Sequence, residues 1–159
     1  MAERGLPWQE KAKNEAVWDY SIKLIIDKID NERTRDIKGK KFPDATRDLA
    51  PFAVADQKII YMPSWYENCF EPYEFEWIVF HEVCHIINNH KYENPLDEDY
   101  IADKCAARLQ CRIDFGIYAL TKISEMEMRR ARRLREDPEI NIQILRRINR
   151  LKKLTFLCK

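Results

Sequence analysis

The chain has 159 residues, of which 45% are hydrophobic and 11% aromatic, and its formal net charge is +1. This composition excludes an intrinsically disordered chain, which has fewer apolar residues and a larger net charge. No apolar run approaches the roughly 20 residues of a membrane-spanning helix, and segment 1–10 lacks the apolar stretch of a signal peptide. We therefore expect one globular domain over residues 1–159, located in the cytoplasm.

The N-terminal third predicts a helix, a loop and a pair of strands. Apolar residues recur at helical spacing over 9–30, which predicts a helix with one apolar face. The residues of this face are Trp18, Ile22, Ile25 and Ile29. The polar segment 31–47 predicts a loop. Within 51–63, two apolar runs flank Asp56 and Gln57, which predicts a short hairpin or a pair of edge strands.

Four helices are predicted in the second half of the chain. The first begins at Pro72, a residue favoured in the first turn of a helix, and runs to about His90. Asn94 and Pro95 break the pattern. The helices that follow are predicted over 97–109, 117–135 and 140–154. The fold class is therefore α+β and predominantly helical, with a core over about 9–123 and basic C-terminal helices over about 124–159.

The charge is distributed unevenly along the chain. Residues 124–159 contain eleven Lys or Arg and five Asp or Glu, a net charge of +6, which leaves −5 on residues 1–123. Five arginines within 129–135 could bind phosphates. The solvated face of an amphipathic helix has the same composition. Nucleic acid is therefore the less favoured partner of this region.

The cysteines predict free thiols rather than a disulfide framework. There are five of them, an odd number, and no two form a CxxC pair. Such usage is typical of a protein in a reducing compartment. We expect Cys84, Cys105 and Cys111 to be small buried residues of the core, and Cys158 to be exposed.

The helix that begins at Pro72 contains His-Glu-Val-Cys-His at 81–85, a match to the HExxH motif. Residues four apart share a helix face, so His81 and His85 can bind one metal ion. Glu82 cannot be a close ligand, but it can hold and deprotonate a water activated by the metal. The motif also occurs by chance on amphipathic helices. A metal site is favoured here because the chain has only three histidines and apolar flanks predict a buried helix.

A third ligand is expected at the start of the next helix, because a catalytic zinc site usually has three protein ligands. A turn around Pro95 would bring Asp99 or Asp103 against the HExxH helix. Acidic residues in a first turn also complement the helix dipole. That explanation accounts for Asp97 and Glu98, but it accounts poorly for Asp103, which lies a full turn inside the helix.

The HExxH motif followed by His90 and by an x-x-Ala-Asp element resembles the gluzincin metallopeptidases. The nearest resemblance is to the HtpX-like and CaaX-prenyl-protease family and to its small relatives, the minigluzincins. In these proteins the second element reads ExxAD. The resemblance implies a small zincin-like domain with a short sheet packed on the HExxH helix, Zn²⁺ as the cofactor, and a peptide or protein substrate.

Carried over position by position, the resemblance implies His81, His85 and Asp99 as zinc ligands. Glu82 would be the general base, and Asp103 would orient a zinc-bound histidine. This chain has Asp at the position where the family has Glu, so Glu98 stays open as an alternative third ligand. The ImmA/IrrE-type metallopeptidases also fit, but their second element reads ExxAN, which makes them the second choice.

Further roles are implied less directly. In such peptidases an edge strand binds the extended substrate by strand addition, and segment 58–62 is the candidate strand, although it could equally just cover the core. His90 is expected at the rim of the site rather than as a ligand. Electrophilic help for the reaction could come from Tyr100, Arg146 or Arg147.

Two classes of function follow from these residues. The first is a zinc-dependent metalloendopeptidase in which Glu82 transfers the proton. The alternative is a non-enzymatic zinc-stabilised module whose basic C-terminal region binds a protein or nucleic-acid partner. A fourth protein ligand such as Cys84 would favour the module, whereas a coordination position open to water would favour the enzyme.

Overall fold

The structure, a computed structural model, describes residues 7–29, 31–137 and 139–154. These residues form six α-helices and four strands, so the prediction of a mainly helical α+β fold is confirmed. The helices are α1 (Pro7–Glu15), α2 (Tyr20–Ile26), α3 (Pro72–Ile87), α4 (Pro95–Gln110), α5 (Asp114–Leu134) and α6 (Glu139–Lys152). The strands are β1 (Val17–Trp18), β2 (Lys38–Phe42), β3 (Phe52–Val54) and β4 (Ile59–Pro63).

The prediction of a single helix over 9–30 is wrong. The structure divides it into α1, β1 and α2, because the side chain of Asp19 caps α2. Its Oδ1 accepts hydrogen bonds from the backbone N–H groups of Ser21 at 2.9 Å and Ile22 at 3.2 Å, which is the bonding pattern of an N-cap. Trp18 therefore does not face the core and is 61% exposed.

The loop predicted over 31–47 is also wrong in part, because it contains β2. This strand runs parallel to β4 and antiparallel to β1. Gly39 lets it lie against α2, since a Cβ at this position would lie 2.5 Å from the side chain of Ile22. A lysine-rich strand with a central glycine carries little strand signal in its sequence.

The sheet has the strand order β1-β2-β4-β3. The hairpin predicted over 51–63 is confirmed as the antiparallel pair β3 and β4. β4 pairs on both sides, with β2 and with β3, so it has no free edge. The prediction that segment 58–62 binds substrate by strand addition is therefore wrong, and among the described residues the edge strand on this side of the sheet is β3.

Helix α3 lies at the centre of the molecule. Twelve of its 16 residues are buried, and they include the whole HExxH motif. The helix packs against α4, α5 and β3. The C-terminal helix α6 packs against α4 and α5 and contributes three residues to the same apolar core: Ile144, Ile148 and Leu151.

The prediction of free core thiols is wrong for Cys84 and Cys105. They form a disulfide that joins α3 to α4, with their Cα atoms 6.0 Å apart. Cys111 is disulfide-bonded as well, and Cys158 lies outside the described residues. The two helices pack closely along their length, which places residues 21 apart in sequence opposite each other. Such bonds are typical of oxidising compartments, so the cysteines no longer support a reducing one.

None of the helices in the described part of the chain combines the length and the apolar character needed to cross a membrane.

Candidate metal centre

Three side chains converge on one point between α3 and α4. His81 Nε2 lies 3.0 Å from His85 Nε2, and Asp99 Oδ1 lies 3.3 Å from the first and 3.1 Å from the second. Ligand atoms held at 2.0–2.1 Å around a tetrahedral zinc ion are themselves about 3.3 Å apart. The three atoms therefore match the spacing of three ligands around one ion.

Asp99, rather than Glu98, lies against the two histidines. The neighbouring Glu98 turns the other way, and its Oε2 accepts a hydrogen bond from the backbone N–H of Lys91 at 3.3 Å. Asp97 accepts a hydrogen bond from the side chain of Asn94 in the first turn of α4. Of the three consecutive acidic residues, only Asp99 lies against the histidines, whereas Asp97 and Glu98 bind other groups near the N-terminus of α4.

Asp103 lies directly against His81. Its Oδ1 lies 2.8 Å from His81 Nδ1, which leaves Nε2 facing Asp99 and His85. Asp103 is 2% exposed and accepts two hydrogen bonds from Arg147 on α6, each 2.8 Å long. A bidentate pair of this kind fixes both side chains. The α6 helix thus holds the carboxylate that lies against His81.

His90 lies beside Nδ1 of His85, as Asp103 lies beside Nδ1 of His81. Their Nδ1 atoms lie 2.8 Å apart, and the backbone N–H of His90 donates to the carbonyl of His85 at 2.9 Å. His90 is not one of the three converging side chains. Its contact with His85 was missed, because it depends on how the chain turns after α3.

The charges of the site are mutually compensating. Burial lowers the pKa of His81, but the carboxylates of Asp103 and Asp99 outweigh burial and raise this pKa to about 9. Burial raises the pKa of Asp99, but Arg147 and the two histidines outweigh it and hold the pKa well below its usual range. Burial and the proximity of His81 lower the pKa of His85. A neutral imidazole is the form that binds a metal ion.

Glu82 is buried next to the three candidate ligands, with Oε2 3.9 Å from His81 Nε2. Burial raises the pKa of its carboxyl group to about 7, against the opposing effect of His81. A carboxyl group with a pKa near neutrality can both accept and release a proton at neutral pH. This is the property required of a general base that later acts as an acid.

A cleft of about 260 Å³ opens onto the site. Glu82 and the three converging side chains lie along it, and aromatic residues form much of its wall: Trp8, Phe52, Tyr66, Trp77 and Tyr92. Of the three predicted electrophilic residues, Arg147 lines this cleft, whereas Arg146 is exposed and Tyr100 stacks under Arg150. Tyr66 and Tyr92 were missed, because they come from a short 3₁₀ helix and a bend with no motif.

No family model, curated protein or solved structure matches the chain. The assignment of function therefore depends on the chemistry of these residues.

Proposed function

We propose that the protein is a zinc-dependent metallopeptidase of the gluzincin kind. The observation that carries the proposal is the convergence of His81, His85 and Asp99 at zinc-ligand spacing beside the buried carboxyl group of Glu82. A set of two imidazoles and one carboxylate, with a coordination position left for water, is typical of catalytic zinc. The adjoining cleft gives a polypeptide access to that position.

When bound, Zn²⁺ would lower the pKa of a water towards about 7 and polarise the peptide carbonyl. Glu82 accepts the proton of the attacking water and transfers it to the leaving amine. Asp103 keeps His81 in the orientation that directs Nε2 towards the ion. Arg147 lines the cleft, and its positive charge favours the negative charge that develops on the carbonyl oxygen.

The non-enzymatic module is disfavoured by two contacts. Cys84 is bonded to Cys105, so it cannot complete a closed set of four ligands. In the basic region, Arg130 and Arg133 both lie within ion-pair distance of Asp48. Part of the arginine cluster is therefore neutralised within the chain rather than available to a partner.

The proposal is tested by zinc content and hydrolysis measured on the same preparations. We expect one zinc per chain in the parent, and loss of zinc in His85→Ala and Asp99→Ala. Glu82→Gln should keep its zinc and lose hydrolysis of unfolded, fluorescently labelled casein by at least about 10²-fold. Glu98→Gln is the matched control and should retain both properties.

Each step of the proposal has its own contradicting result. A parent protein that binds no zinc after reconstitution would refute the metal centre. If Asp99→Ala retains its zinc and Glu98→Gln loses it, the third ligand is Glu98. Hydrolysis that survives in Glu82→Gln would refute the assigned general base.

A further inference from the structure

The free edge of β3 offers one complete pairing position for an extended peptide. Ala53 is paired in register with Ile60 of β4, and its N–H and C=O both point away from β4. On one side, Pro51 has no N–H to donate. On the other, the carbonyl of Ala55 already accepts from the backbone N–H of Lys58 at 3.2 Å. A peptide that adds to this edge therefore needs Ala53 for its two central hydrogen bonds.

The hydroxyl group of Tyr92 already holds both of these backbone groups. The N–H of Ala53 donates to Tyr92 Oη at 3.3 Å, and the hydroxyl donates to the carbonyl of Ala53 at 3.1 Å. One side chain thus satisfies the donor and the acceptor that an added strand would use. Because an edge strand with free backbone groups is open to pairing, this contact blocks the edge at the position where pairing would begin.

Tyr92 also lies at the junction of two cavities. One is the cleft that contains Glu82 and the predicted zinc ligands, and Phe52 and Tyr92 line it. The other is a groove of about 260 Å³, bounded on one side by residues 52–56 and on the other by residues 90–93. A peptide extended along β3 would pass from this groove into the cleft beside Tyr92.

The segment that carries Tyr92 is held in a costly backbone conformation. Tyr92 has a φ of 61° and Asn89 a φ of 54°, and the left-handed region disfavours residues with a Cβ such as tyrosine. Movement of the segment would release this cost for Tyr92. Relief of this cost would offset part of the free energy that displacement of Tyr92 requires.

We propose that Tyr92 gates the peptide groove: its hydroxyl group occupies the backbone donor and acceptor of Ala53, and it must leave before a peptide can pair with β3. The inference rests on the proposed peptide substrate but not on hydrolysis. Tyr92→Phe removes the hydroxyl and keeps the aromatic ring, so it opens the edge without emptying the wall of the cleft.

The test measures peptide binding in the Glu82→Gln background, with and without zinc, by fluorescence anisotropy. The probe is a fluorescein-labelled mixture of capped decapeptides. We expect Tyr92→Phe to lower Kd about tenfold, which corresponds to a binding free energy more favourable by about 1.4 kcal/mol. Tyr61→Phe is the matched control, because it removes another tyrosine hydroxyl that donates a hydrogen bond, to Gln57 at 2.9 Å. It should leave Kd unchanged.

A second probe shows whether the gain comes from strand addition. The same peptides with alternate backbone amides N-methylated cannot form the ladder, so Tyr92→Phe should bring no gain with them. A Kd that Tyr92→Phe does not lower, including the case in which no variant binds peptide, overturns the gate. If the zinc-loaded protein shows no hydrolysis while Tyr92→Phe still lowers Kd, the result supports the gate and refutes the peptidase proposal.

Kinetics separate a gate from a catalytic residue. In the zinc-loaded protein with Glu82 intact, the gate predicts that Tyr92→Phe raises kcat/KM through a lower KM. A fall in kcat instead would assign the hydroxyl group to the transition state and overturn the gate.

Discussion

The pairing of Asp103 with Arg147 leads to a quantitative prediction. Asp103 is almost fully buried, the side chain of Arg147 is 14% exposed, and two hydrogen bonds of 2.8 Å join them. Removal of one partner leaves a buried charge without its counter-charge, which costs about 3–5 kcal/mol. Each remaining charge keeps a neighbour, His81 for Asp103 and Asp99 for Arg147. We therefore expect the lower end, about 3 kcal/mol, for each single substitution.

The double substitution separates the pair from its surroundings. With Asp103→Leu and Arg147→Met together, neither charge remains, and the free energy of unfolding should fall by only about 3 kcal/mol rather than the sum of about 6. The coupling energy is then about 3 kcal/mol. Urea unfolding of the metal-free protein measures it, because bound metal would otherwise add its own stabilisation.

Arg150→Met is the control, on the same helix. Its guanidinium stacks on the ring of Tyr100 at 3.8 Å and is exposed, so the substitution should cost less than about 1 kcal/mol. Additive effects of the two single substitutions at 103 and 147 would refute the reasoning. So would single effects no larger than that of Arg150→Met.

Two further predictions concern positions outside the candidate metal centre. Gly116→Ala should destabilise the protein by about 1–3 kcal/mol in urea, because a Cβ there would lie 2.6 Å from the ring of Trp77. An open helical position would instead gain about 1 kcal/mol, so a stabilised variant would contradict the packing. Asp19→Asn tests how the stability of the protein depends on pH. Burial raises the pKa of Asp19, but Ser21 and Lys41 outweigh burial, so the pKa in the folded protein is lowered. The stability that Asp19 contributes is present above its unfolded pKa of about 3.9 and is lost as pH falls through the lower, folded value. The stability difference between parent and Asp19→Asn should therefore shrink below about pH 4, and a constant difference would contradict this assignment.

The elements that the sequence predicts correctly carry their signal locally. Pro72 starts α3, and the hairpin of β3 and β4 has its turn between two apolar runs. β2 was missed because its lysines and glycine form a strand only by pairing with β1 and β4. The helix over 9–30 was predicted as continuous because the spacing of apolar residues does not show that the side chain of Asp19 binds backbone N–H groups and starts a new helix there.

The same distinction holds for the candidate site. His81, Glu82 and His85 share one helix, so their spacing alone brings them together. Asp99 needed the turn between α3 and α4, and its choice over Glu98 depended on the direction in which each carboxylate points. The contacts of His90, Tyr92 and the Cys84–Cys105 disulfide arise from chain packing between segments. No spacing in the sequence indicates them.

The bond between α6 and Asp103 has a consequence for biosynthesis. Arg147 follows Asp103 by 44 residues, which takes roughly 2–9 seconds to translate at ordinary rates. During that interval the nascent chain contains the two histidines, Asp99 and Asp103. It does not yet contain Arg147, which neutralises part of the negative charge of the two aspartates. The carboxylates are thus expected to stay hydrated, with α4 not yet fully docked on α3, until α6 leaves the ribosome. The charge balance of the candidate site is therefore complete only after α6 has been made.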